Sequence, residues 1–384
     1  MNTKRDVGII GGGASGIFLA ICLKRFIPEV NITIYEAQSK IGKKILQTGN
    51  GKCNLSNLDI SSSKYNSDLV NEILSSFSNE TLFNILNDMG LKIRIDEEGR
   101  VYPYSEKATT VLDIFLKEIN KLNINVLVDT LIKDIKYNNK YFLKSENDEF
   151  VCDDLIICTG GKASINYKYN AYDMLNKIGF DITNLNPSLC ALKTKENTKH
   201  LSGIRVKCCA KIIVDNVVKC KTKGEVLFKD DGLSGIAIFI LSQFFDKNKK
   251  CVVSLDLYGD MSEEMLNKEL YNGFDLKENL IGYFPKMVNQ DLINRNKNNI
   301  GKEIKNYNFE IIDTYSFENA QVTKGGVKLD NINLKTLESK KHKNMYLAGE
   351  VLDIDGTCGG YNLYFAFACG YKIALALKSK YIGE

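Results

Sequence analysis

The sequence predicts an α/β chain built on a Rossmann-type nucleotide-binding domain, into which a β-rich segment and a small helical segment are inserted. Three observations predict it. Near the N-terminus an apolar strand runs into a glycine-rich turn and an apolar helix. A second strand–turn–helix junction stands at the far end of the chain. Between the two, the pattern changes to short alternating runs and then to polar, helix-prone sequence.

Asp6–Ile10 is a short apolar run of buried-strand type. The turn Gly11-Gly12-Gly13-Ala14-Ser15-Gly16 follows, matching G-x-G-x-x-G, and Ile17–Phe26 is apolar at helical spacing. A second strand covers Asn31–Ala37, with Glu36 twenty residues after Gly16. In such a unit Gly11 permits the tight turn, Gly13 lets the backbone approach a pyrophosphate, and Gly16 lets helix and strand pack closely. The helix N-terminus offers N–H groups to the phosphates, and the Glu36 carboxylate accepts from a ribose hydroxyl. A bare G-x-G-x-x-G is also a common glycine-rich turn, but here strand, turn, helix, strand and acid stand in register. Glu36 would repel a 2′-phosphate, so the ligand expected is NAD or FAD.

Three further segments favour FAD. Ile41–Asn57 is a basic, glycine-rich loop directly after the acid, where Lys43, Lys44 and Lys52 could meet phosphate or a flavin edge; its bland alternative is a solvated loop. Asp153–Gly161 is a buried-type strand ending in Thr159-Gly160-Gly161, where a chain could pass a cofactor. Strand Met345–Ala348 ends in Gly349-Glu350, and Val351–Tyr361 carries three glycines and two aspartates, Asp353 and Asp355. A long apolar helix is expected from about Asn362 to Leu377. A simple NAD domain completes its site in its first half. The longer FAD needs a second contribution, and a helix N-terminus near Tyr361–Leu363 suits the flavin edge that gains negative charge on reduction.

The segments G-G-G-A-S-G, K-K-I-L-Q-T-G-N-G-K-C-N-L-S-N, G-R-V-Y-P-Y-S-E-K-A (99–108), V-L-F-K-D-D-G-L-S-G (226–235), Q-V-T-K-G-G-V (321–327) and L-A-G-E-V-L-D-I-D-G-T-C-G-G-Y-N-L (347–363) resemble the bacterial aminoacetone oxidase-like or BaiN-like NAD(P)/FAD-dependent oxidoreductases. The resemblance covers nearly the whole chain. It implies a discontinuous, glutathione-reductase-like FAD-binding domain over 1–186 and 322–384. It also implies an inserted β-rich domain over 187–255 and 306–321, and a helical subdomain over 256–305. It implies non-covalent FAD held by Gly11, Gly13, Ala14, Ser15, Gly16, Glu36, Ala37, Lys43, Lys44, Gly51, Lys52, Cys53 and Asn54. Thr159, Gly160, Gly161, Gly349, Glu350, Asp355, Gly360, Tyr361, Asn362 and Leu363 complete the implied set, with an adenine contact from the strand near Ile132. Two departures stand out. Lys52 occupies a place where the family usually has Arg, so a bidentate contact is lost. Ser164–Met174 is bulky and glycine-free where the family usually has a G-D-G-type stretch.

The insertion is legible from residues too. After Pro187, alternating runs such as Val206–Val214 and Val217–Cys220 are of antiparallel type, and Met261–Lys305 is polar and helix-prone with Leu266, Leu270 and Leu276 in a hairpin setting. Such a lobe is expected to shape a substrate site.

Composition narrows the function classes. The chain has 384 residues, 44% of them apolar, which implies more than one domain. Its net charge is +4 and its lysines are scattered, so they are expected to be solvated surface and not a nucleic-acid face. Eleven scattered cysteines without a C-x-x-C pair imply reduced thiols in the cytoplasm. The polar N-terminus leads straight into a strand, so no signal peptide is expected, and the longest apolar run, Gly235–Phe245, is too short for a membrane span. His200 and His342 lie in polar settings without cysteine partners, so neither a zinc site nor a histidine base is expected. Cys53 has no partner thiol for a redox disulfide and is expected to pack.

The expected function is hydride transfer between FAD and a small organic substrate. No second G-x-G-x-x-G unit is present for NAD(P)H, which favours a small-amine oxidase using dioxygen. The alternative is an NAD(P)H-dependent reductase of an unsaturated or carbonyl compound, with the nicotinamide docking transiently. A third, different class is an FAD-containing nucleic-acid-binding or redox-sensing protein. The substrate, the electron acceptor, any protein acid or base and the oligomeric state are not legible in the sequence.

Overall fold

A computed structural model describes residues 5–163, 171–273 and 275–383. They form two compact units, one built from 1–186 and 322–384, the other from Pro187–Gln321.

The first unit is centred on a five-stranded parallel sheet. Its strands are β1 (Asp6–Ile10), β2 (Asn31–Tyr35), β3 (Asn125–Leu127), β4 (Asp154–Ile157) and β5 (Met345–Leu347), in the order β5-β4-β1-β2-β3. β1 is central, pairing Val7 with Asp154 on one side and with Ile32 on the other. Helix α1 (Ala14–Phe26) follows β1, and helix α2 (Tyr361–Ile382) follows β5. Both are apolar nearly all round because both are buried, and they pack on each other. Gly370 permits the closest approach: a Cβ there would stand 2.9 Å from the Ser15 carbonyl oxygen. Phe18, Phe115 and Phe367 fill the space between the helices. The buried Glu118 anchors the end of α1 through Arg25 at 2.6 Å.

The elements follow the expected order, with shifted boundaries. β2 stops at Tyr35 and β4 at Ile157, so Glu36, Ala37 and Thr159–Gly161 lie just beyond strand ends, where backbone groups turn outward. α2 extends beyond Leu377 to Ile382. Ile132 is buried in the connection after β3 and not in a strand.

The second unit is a closed six-stranded antiparallel barrel. Going round, its strands are Leu192–Thr194, Gly232–Ser234, Val217–Lys229, Arg205–Val214, Cys251–Asp256 and Tyr307–Thr314. Alternation along Arg205–Val214 sends Val206, Cys208, Ala210, Ile212 and Val214 inward. Helix Ile236–Ser242 fills the interior with Ala237, Ile238 and Leu241, so the apolar run there is core. Four short helices between Glu263 and Lys305 form the helical part; Leu266 and Leu270 are buried, and Leu276 packs against the same core. No helix among the described residues is long and apolar enough to cross a membrane.

Candidate cofactor site

The site lies within the first unit, where four separate loops meet at the carboxyl ends of the strands. In the first, Gly11 has φ +108°, and a Cβ there would sit 2.3 Å from the Cys158 carbonyl oxygen. At Gly16 a Cβ would lie 2.1 Å from the Gly11 oxygen. A Cβ at Gly13 would meet nothing within 4 Å. Gly11 and Gly16 are therefore required by packing, whereas Gly13 borders open space at the N-terminus of α1, which no side chain caps. That is a cradle for an anion.

The Glu36 carboxylate accepts from the Gly12 amide at 2.9 Å and the Gln38 amide at 2.8 Å. Burial raises its pKa despite those bonds. The sequence pattern reserves this carboxylate for a ribose; the structure gives it a second task, closing the turn. The Thr130 amide donates to the Glu36 carbonyl at 2.8 Å, which carries the connection containing Ile132 up to this end of the site.

The second loop, Lys43–Asn57, divides its lysines. Lys44 pairs with Glu350 at 2.6 Å across 306 residues of chain. Lys43 reaches Ser39, and Lys52 is drawn to Glu106 at 2.7 Å, which Arg94 also pairs at 2.8 Å. Lys52 is exposed, and its ammonium stands in this ion pair at the surface. Gly49, Asn50, Gly51 and Cys53 all have positive φ, coiling the loop tightly. Cys53 is fully buried, and burial pushes its thiol up to about 11, an unreactive packing residue. Asn54 is also buried, and its Oδ1 has no hydrogen-bond partner.

Glu350 organises the third loop. Its Oε1 accepts from the Thr323 amide at 2.8 Å, and Thr323 Oγ1 in turn accepts from the Lys162 and Ala163 amides at 2.7 and 3.0 Å. A Cβ at Gly161 would stand 2.5 Å from Glu350 Oε1, whereas Gly160, with φ +69°, faces open space. Tyr172 donates to the Glu350 carbonyl. Of the glycine-free segment, Ser164–Asn170 lies outside the described residues.

The fourth loop precedes α2. Gly349 brings β5 against α1, and a Cβ there would stand 3.0 Å from Ser15 Oγ. The Asp355 backbone exchanges hydrogen bonds with Asn66, and Asn362 bridges Gly356 in both directions at 2.7 and 2.8 Å. Asn362 is thus a loop tie. Gly360 has φ +101°, and a Cβ there would meet the Ser56 carbonyl at 2.5 Å and Asn54 Oδ1 at 2.7 Å. Asn57 donates to the Gly359 carbonyl, and Tyr65 to the Tyr361 carbonyl at 3.0 Å. Leu363 is buried in the core, and the first turn of α2 has neither a cap nor an acid.

Thr323, Ser56, Asn57, Tyr65 and Tyr172 are missing from the sequence-derived set. Thr323 had a signal, standing inside Q-V-T-K-G-G-V, but its partners are distant in sequence. The residues fit a long dinucleotide: two uncapped helix N-termini, three glycines bordering open space (Gly13, Gly51 and Gly160) and the orphaned buried amide oxygen of Asn54 fall in one cluster of loops.

Neither histidine belongs to these loops. His200, in the second unit, is exposed and bonded to Asp291 at 2.6 Å. His342 is half-buried: its Nε2 meets the Ile178 carbonyl at 2.8 Å and its ring packs on Phe180. All eleven cysteines are free, and among the described residues no cluster of His, Cys, Asp and Glu could hold a metal.

Comparison with known proteins identifies the family. The HI0933-like protein Rossmann domain model matches residues 5–376. The chain is 31% identical to the 3-dehydro-bile acid delta(4,6)-reductase of Clostridium scindens, covering 95% of this chain and 97% of that protein. It is 26% identical to the ribosomal RNA dihydrouridine synthase of Haemophilus influenzae, over 96% and 97% of the two chains. In fold it is similar to the 3-ketosteroid delta1-dehydrogenase of Sterolibacterium denitrificans, with a TM-score of 0.54 at 10% identity, covering 99% of this chain and all of that one. The chain belongs to the HI0933-like Rossmann family and is an FAD-dependent oxidoreductase.

Proposed function

We propose that this protein is an NAD(P)H-dependent reductase that adds hydride to a carbon–carbon double bond conjugated with a carbonyl. The observation that carries the cofactor half of this reading is the joining of the Gly11–Gly16 turn, the Ile41–Asn57 loop and the Gly349–Leu363 loop: the Gly42 amide donates to the Gly12 carbonyl, and Lys44–Glu350 and Asn57–Gly359 tie the second loop to the last. A site this long, with two uncapped helix ends, suits FAD better than a mononucleotide. When bound, FAD supplies the redox-active ring. Gly13 and the α1 amides hold its pyrophosphate, Glu36 a ribose hydroxyl, and Lys44 with Glu350 the middle of the cofactor. The N-terminus of α2 favours negative charge on the flavin pyrimidine edge.

The substrate half rests on the relatives. A delta(4,6)-reductase of a 3-dehydro bile acid and a dihydrouridine synthase both saturate a ring double bond in conjugation with a carbonyl. The amine-oxidase reading has less support, because both kinds of relative reduce their substrates. Anaerobic photometry tests the proposal. NADH or NADPH should bleach the bound flavin, and a conjugated ketosteroid or a uridine-containing RNA should restore its colour. Bleaching by small amines, with none by reduced nicotinamides, would overturn it.

A further inference from the structure

The barrel hairpin Arg205–Lys229 carries seven basic residues and two acidic ones, a net +5, so the rest of the chain, at +4 overall, sums to −1. The register places this charge on one surface. Inward positions of Arg205–Val214 are apolar and buried, so Lys207, Cys209 and Lys211 point outward. Across the ladder Lys207 faces Glu225, Cys209 faces Lys223, and Lys211 faces Lys221; Lys219 is the extra residue where the register shifts. Glu225 is already held by Arg205, and Asp215 by the Lys250 amide. Among the described residues Lys207, Lys219, Lys221 and Lys223 have no carboxylate partner, and all four are exposed.

Two lysines directly opposite on a strand pair destabilise a sheet. Here a third and a fourth lysine flank the pair with no acid to relieve it. Strands rise about 3.4 Å per residue, so lysines repeat every ~7 Å from Lys219 to Lys223, and Lys207 and Lys211 stand about 14 Å apart on the neighbouring strand. The pattern is a linear stripe on the outside of a barrel, with exposed aliphatic side chains, Val217 and Val218, only at its turn end beside Lys219. A flat anionic membrane could bury only Val217 and Val218 at the turn end, whereas the lysines run away from that end along both strands. A phosphodiester chain can follow it along its length.

We propose that the outer face of the hairpin, Lys207, Lys211, Lys219, Lys221 and Lys223, is a docking surface for the phosphate backbone of RNA. The surface goes beyond the reductase reading and is tested separately from it. Holoprotein is titrated against a fluorescently labelled RNA hairpin over a series of salt concentrations, beside the Lys219→Gln, Lys221→Gln, Lys223→Gln variant. Each neutralised phosphate contributes roughly 0.7–0.9 to the slope of log affinity against log salt, so the variant's slope should fall by about 2–3 and its affinity by at least about tenfold at low salt. Flavin absorbance and melting temperature show that the variant is folded. Equal RNA affinity and slope in both proteins would overturn the proposal, as would tighter binding to phosphatidylserine vesicles than to RNA. NAD(P)H bleaching of the flavin reports on the reductase reading independently of either result.

Discussion

Gly13→Ala separates cofactor binding from folding, because the structure gives that position no packing role. Its φ of −86° is open to any residue, and a Cβ there meets no atom within 4 Å. The apoprotein should therefore fold as before, and the reduced freedom of the unfolded chain should stabilise it by about 0.4–1 kcal/mol. The added methyl instead occupies the space through which a pyrophosphate approaches the first turn of α1. Overpacking a fitted contact costs about 1–3 kcal/mol, and 1.4 kcal/mol is tenfold in affinity, so FAD should bind roughly 5- to 150-fold more weakly. The assay is titration of apoprotein with FAD, followed by flavin fluorescence, beside thermal unfolding of the same apoprotein. Gly16→Ala is the internal contrast. Alanine is favoured over glycine by about 1 kcal/mol in a helix, yet the new Cβ would lie 2.1 Å from a backbone oxygen that cannot move aside. That variant should lose melting temperature even without FAD. Wild-type FAD affinity in Gly13→Ala would refute the placement of the pyrophosphate.

Three further outcomes are expected. Glu36→Ala should weaken FAD binding by about 1.5–3 kcal/mol in the same titration, because it removes a ribose acceptor and leaves the Gly12 and Gln38 amides without their partner. The double change His200→Gln, His342→Gln should keep substrate turnover within about tenfold of wild type, since general acid–base help is worth about 10²–10⁴-fold; a hundredfold loss at full flavin content would place a histidine in the active site. In the second unit, burial opposes ionisation of Asp291, but the Tyr307 hydroxyl, Arg295 and His200 together hold its carboxyl below the usual range. A lowered carboxyl stabilises above its unfolded value near 3.9 and loses that contribution as pH falls through the folded value. Asp291→Asn should therefore cost about 1.5–3 kcal/mol at neutral pH, and its difference from wild type in urea midpoint should shrink below about pH 4.

Much of the cofactor site is local, and so was legible. The Gly11–Gly16 turn, the acid at Glu36 and the strands flanking them depend on residues within thirty positions of one another, where glycine conformation, apolar periodicity and spacing act directly. The boundary of the insertion was likewise marked by a change of period at Pro187. Sequence alone therefore determined the Rossmann unit, the order of its elements and the class of its ligand.

Only the tertiary structure decided which side chains share a loop cluster. Lys44 meets Glu350, Lys52 goes to Glu106, and Thr323 ties the Gly161 turn to Glu350, pairings between segments far apart in sequence that no local pattern encodes. The barrel makes the same point in charge. Lysines that look scattered along the chain fall on one face because an antiparallel register sets Lys211 opposite Lys221. Periodicity tells which way a side chain points, but only pairing tells what stands beside it.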